Sequence, residues 1–133
     1  MGSYCDKIFA TNRKTNKDFF QKTIDAYTKV LQLDPDNWGA NYNLGMLYYN
    51  FGVSKIYYDL PVDTDLVSLE QIQEDSRQLF RKAEPFEVKA NQLNPKRKEP
   101  VKALMGIYFS LSEMVKYELY KKMLEEMEKQ GGQ

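Results

Sequence analysis

Shifting the chain by 60 residues lays it over itself. Phe20 falls on Phe80, Lys22 on Lys82, Leu33 on Leu93, Pro35 on Pro95, Leu44 on Leu104 and Tyr48 on Tyr108. Thr23 meets Ala83, Val30 meets Ala90 and Tyr49 meets Phe109, each pair similar in size or character. One such coincidence is cheap, but a shared offset is not. A chain that repeats itself stacks copies of one supersecondary unit, because a single copy cannot bury its own apolar face.

The unit is helical. Phe20, Ile24, Tyr27, Val30 or Leu31, and Leu33 make a stripe over 18–33, with Lys22, Asp25 and Lys29 on the wet side and Asp18 at the amino end. Asp34-Pro35-Asp36-Asn37 stops that helix and offers side-chain oxygens to the amides of the next. From Trp38, the residues Tyr42, Gly45, Leu47 or Tyr48, and Tyr49 recur at three- and four-residue steps. Gly45 inside this helix costs about 1 kcal/mol against alanine, which implies a second helix crossing closely there, near Ala83 to Ala90. Residues 4–17 are polar, with Ile8 and Phe9 as apolar anchors, and suit at most a short frayed helix.

These residues resemble the tetratricopeptide repeat, a pair of antiparallel helices with a period of about 34 residues. Asn43-Leu44-Gly45, Tyr48 and Gly52 carry the likeness for a first helix, and Phe80, Ala83, Ala90, Leu93 and Pro95 for a second. Phe20 to Pro35 looks like another second helix, Leu104 with Tyr108 another first helix, and Glu113 to Lys129 its partner. The resemblance implies an all-α, antiparallel helix-pair solenoid of about two and a half to three repeats, filling residues 1–133 as one domain. Two substitutions depart from the family pattern. Tyr117 fills a small-residue position, and Met105 stands where glycine is usual.

The middle repeat is also too long, by roughly 26 residues at a 34-residue period. The surplus, 53–78, reads as lengthened helix. Val53, Ile56 and Tyr57 continue one apolar face, Leu69, Ile72 and Leu79 extend the other backwards, and Ser68 with Gln71 is a capping-box signature. Helices over about 38–58 and 68–93 follow, joined by a loop over 59–67, with Pro85 kinking the second. Gly131-Gly132 marks 130–133 as a flexible tail.

The composition argues against chemistry. With no histidine and one cysteine, Cys5, the commonest general base, thiolate metal clusters and internal disulfides are absent. No phosphate loop, nucleophile elbow or zinc-binding helix motif occurs. Asp63, Asp65, Glu70, Glu74 and Asp75 crowd the hairpin tip without the glycine of a calcium loop, so they read as a solvated acidic tip. Lys96-Arg97-Lys98, with Arg81, Lys82, Lys89 and Lys102, reads first as a charged turn and second as a positive edge. A net charge of zero gives no global pull toward nucleic acid. No apolar run approaches the length of a membrane span. Met1-Gly2-Ser3 looks like a vector-derived start, which leaves both a cytoplasmic and an exported location open. The expectation is a protein with no enzyme activity, no cofactor and no metal.

In the family, first helices line a concave surface. The matching positions are Tyr42, Met46, Tyr49 and Asn50, then Lys102, Gly106, Phe109 and Ser110, an aromatic, nearly uncharged groove suited to an extended or helical peptide. One subclass clamps a chaperone's terminal carboxylate with Lys, Asn and Arg. Asn12 and Asn43 match its asparagines, but Ile8, Glu99 and Ala103 replace its cations, which disfavours a co-chaperone role. Two functions stand: a module binding a partner protein's peptide or helix in the groove, or an assembly segment of a larger helical-repeat protein or a homo-oligomer.

Overall fold

The computed structural model describes residues 13–58 and 65–131, and all the regular structure there is helical. In chain order the elements are α1 (Arg13–Leu33), α2 (Trp38–Tyr58), α3 (Leu66–Leu93), α4 (Lys98–Ser110) and α5 (Met114–Gly131). Consecutive helices pack on one another, and α2 also meets α4.

The two turns 60 residues apart are the same turn. The amide of Asp34 donates to the Val30 carbonyl at 2.7 Å and that of Asn37 to the Asp34 carbonyl at 3.1 Å. Asn94 repeats the first bond to Ala90 at 3.1 Å, and Arg97 repeats the second to Asn94 at 3.2 Å. Their caps differ. The Asn37 side-chain oxygen accepts from the Ala40 amide at 2.8 Å, whereas Arg97 supplies no side-chain cap to α4. Buried Asn41 braces the first turn by donating to the carbonyls of Pro35 and Asn37 at 3.1 and 2.9 Å.

The long hairpin of α2 and α3 has a glycine register. A Cβ on Gly45 would fall 2.8 Å from the Glu87 carboxyl carbon, and one on Gly52 would fall 2.9 Å from the Phe80 ring. Buried Ser76 donates its hydroxyl to the Gly52 carbonyl at 2.8 Å. Positions 45 with 87 and 52 with 80 fix an antiparallel pair whose axes approach wherever a side chain is missing. The close crossing expected at Gly45 is present. At 1.5 Å per residue the partners are about 31 and 42 Å long.

Several local expectations change. α1 begins at Arg13, so Asp18 lies inside the helix and cannot cap it. α3 starts at Leu66 with Asp65 as N-cap, its Oδ1 accepting from the Ser68 amide at 2.7 Å; Ser68 and Gln71 form no capping box. An aspartate three residues ahead takes the role because its short carboxylate reaches that amide directly. As expected, α3 continues through Pro85 without a break, and Pro85 sits on the exposed side. α5 continues to Gly131, so 130 and 131 are helical rather than tail. Residues 1–12, most of the loop over 59–67, and 132–133 lie outside the described residues.

The core lies between α3 and α4, at Phe80, Ala83, Leu104, Ile107, Tyr108 and Leu111, and is flanked by Tyr48, Tyr49 and Val53 of α2, Val88 of α3, and Tyr117 and Tyr120 of α5. α5 itself has no fully buried residue. Its contribution is partly buried, through Tyr117 and Tyr120 packed against the core. The Tyr108 hydroxyl, inside this core, donates to Glu84 at 2.6 Å. α4 ends in a Schellman turn, with the Glu113 amide on the Tyr108 carbonyl at 2.9 Å, the Ser112 amide on the Phe109 carbonyl at 3.1 Å, and Ser112 at φ 60°.

Candidate binding groove

Tyr42, Met46 and Tyr49 lie along one face of α2, four and three residues apart; Lys102, Gly106 and Phe109 repeat that spacing on α4. The two rows meet at Tyr49 and Gly106. Were Gly106 to carry a Cβ, the Tyr49 hydroxyl would lie 2.6 Å from it. Glycine therefore lets the tyrosine of the first row rest on the backbone of the second. Tyr49 also packs its ring against buried Phe80, centroid to centroid 5.5 Å, so it is anchored to the core rather than free.

The remaining positions divide by exposure. Phe109 is 62% exposed while its ring touches Tyr117 at 5.6 Å, and Asn50 and Lys102 are exposed. Tyr42, Met46 and Ser110 are half-buried. Tyr42 stacks flat on Trp38, 5.1 Å apart with planes 8° from parallel. The Arg97 guanidinium also lies over the indole, at 4.4 Å, and is held there by two bonds to Glu99, at 3.1 and 3.3 Å. A guanidinium, an indole and a phenol thus cluster at this end of the two rows. They also tie the start of α2 to the start of α4.

Behind Tyr42 lies a group that the sequence reading passed over. Glu87 is completely buried on α3, and neither carboxyl oxygen has a hydrogen-bond partner among the described residues. Burial pushes its acid up to about 9, so it is protonated at neutral pH. Burial also raises the Tyr42 phenol, and the nearby carboxyls of Glu87 and then Glu99 add to this against the opposing pull of Arg97. Trp38 Nε1 and Asn91 Oδ1 are likewise buried without partners. The signal was available: Phe80, Ala83, Glu87 and Ala90 share one helical face, and a charged residue in an apolar stripe marks an unusual site. Glu99 behaves oppositely, its carboxyl lowered chiefly by the hydrogen bond from Arg97.

Three of the basic residues that could form the positive edge are ion-paired. Lys89 pairs with Asp36 at 2.9 Å, Arg81 with Glu113 at 3.2 Å and Arg97 with Glu99 at 3.1 Å. Among the described residues no group of three or more His, Cys, Asp or Glu is placed to hold a metal, and no helix is long and apolar enough to cross a membrane. No protein-family model matches this chain, and no curated protein does.

Proposed function

We propose that the chain is a non-catalytic binding module of tetratricopeptide-like design that holds a peptide or helix of a partner protein between α2 and α4. The observation that carries the reading is the joined double row. Tyr42, Met46 and Tyr49 continue through the Tyr49–Gly106 contact into Lys102 and Phe109, leaving an exposed aromatic ring and, about 10 Å along the same helix, an exposed cation. Such a strip offers apolar area at low entropic cost and one charge to orient a ligand. The turn repeated 60 residues apart supports the repeat reading independently of side-chain likeness.

Affinity capture from the native cell extract tests the proposal, run with the wild-type chain and with Phe109→Ala plus Lys102→Ala. Both side chains are exposed, so the fold should survive their loss, and circular dichroism checks that it does. Partners that depend on the groove disappear from the variant. A set of partners unchanged by the double substitution refutes the groove.

A further inference from the structure

We propose that the chain self-associates head to tail, the exposed face of α1 in one copy docking antiparallel on the exposed face of α5 in the next. The proposal is separate from the groove, because neither face contains a groove residue. α1 buries one side: Phe20 stacks on Phe51 at 4.1 Å, Ile24 is buried, and Tyr27 and Leu31 are half-buried. The adjacent side carries Phe19, Thr23, Ala26, Val30 and Leu33, spaced four, three, four and three residues apart. Leu33 is 90% exposed and Phe19 69%. Leu33 was expected in the core, but the turn of the helix carries it away from α2. The only polar member of this seam needs nothing from a partner, since the Thr23 hydroxyl donates to the Phe19 carbonyl at 2.8 Å. Spacing of this kind is that of a helix seam lying against another helix.

The far end of the molecule offers the counterpart. Val115, 87% exposed, and exposed Leu119 begin a four-three-four series that continues through Lys122 and Glu126 on α5. Charge selects the pairing. Lys22 and Lys29 flank the α1 seam on one side, three residues after Phe19 and Ala26. Glu118 and Glu125 flank the α5 series in the same sense, three residues after Val115 and Lys122. All four are exposed, and none has an ion pair among the described residues. When helices pack antiparallel, equivalent flanks face each other. Setting Leu33 and Val30 on Val115 and Leu119 therefore brings Lys29 beside Glu118 and Lys22 beside Glu125. A symmetric pairing of two α1 helices would instead set Lys22 against Lys29 of the other copy, a like-charge contact. A contact between two different faces does not close on itself, so it propagates into rings or open chains.

Sedimentation velocity over a concentration series of the purified full chain tests this. The wild type should show species larger than the monomer that grow with concentration. Lys22→Glu with Lys29→Glu, and separately Glu118→Lys with Glu125→Lys, should each weaken association by about tenfold or more, because like charges then meet. The chain carrying all four reversals, and an equimolar mixture of the two double variants, should recover it. A wild type that stays monomeric throughout overturns the proposal. So does association indifferent to both double reversals, or one that the fourfold reversal fails to restore.

Discussion

The carboxyl of Glu87 rests on the backbone of Gly45, with its carbon 2.8 Å from where a Cβ would stand. Each residue requires the other to be what it is. Gly45→Ala gains about 1 kcal/mol of helix propensity, yet it forces a fully buried side chain to move, and overpacking of this kind costs about 1–3 kcal/mol. The variant should be less stable by roughly 1 kcal/mol in a urea titration. In a Glu87→Ala background the same change should become neutral or stabilising, a coupling that a double-mutant cycle measures directly.

Glu87 also makes stability depend on pH. Its acid is raised from 4.5 to about 9 in the folded chain, so the folded state holds a proton that the unfolded state releases. Its contribution is therefore fully present below about 4.5 and is lost as pH rises toward about 9. At pH 7 the loss is on the order of 3 kcal/mol, from about 1.4 kcal/mol for each pH unit above the unfolded value. The urea midpoint of the wild type should fall between pH 5 and 8.5, and that of Glu87→Gln should fall much less. Equal slopes would show that Glu87 does not titrate across this range.

Ser112 occupies the left-handed region at φ 60°, where a Cβ is strained and glycine is not. Ser112→Gly keeps the Schellman turn and removes the strain. Thermal unfolding should shift upward by about 2–4 °C, matching a gain of about 1 kcal/mol.

Tyr108→Phe deletes the hydroxyl that donates to Glu84. Lys116, 3.8 Å from that carboxylate, remains as its other partner, so Glu84 is not stranded. The cost should be about 1–2 kcal/mol, read as a lower urea midpoint with unchanged m-value. A loss of cooperativity instead would mean that the bond organises the α3–α4–α5 junction rather than adding to it.

The helices and both four-residue turns were legible because they rest on local chemistry: proline and asparagine at turns, and apolar spacing between them. The glycine contacts at 45 and 52 were half legible. A glycine within a helical pattern announces a close neighbour, but only packing reveals that Glu87 and Phe80 fill the space. The groove rows follow from spacing, whereas the rest of Tyr49 on Gly106 and the Arg97–Trp38–Tyr42 stack join residues distant in sequence. Asp18 misled because a good capping residue can also sit inside a helix. Leu33 misled because a one-residue difference in angle moves a side chain from the core to water.

The overlong hairpin divides the molecule into parts of unequal firmness. In α3 every fully buried residue lies from Ser76 onward, and in the described part of α2 none lies beyond Gly52. Beyond Val53, which still packs on the core, the described outer turns bury less side chain than the inner ones. Amide exchange should be fastest there, at 53–56 and 66–75, and slowest around Phe80 and Leu104. Opening of those outer turns leaves the Tyr49–Gly106 contact out of play, so insertions or substitutions at the hairpin end should be tolerated.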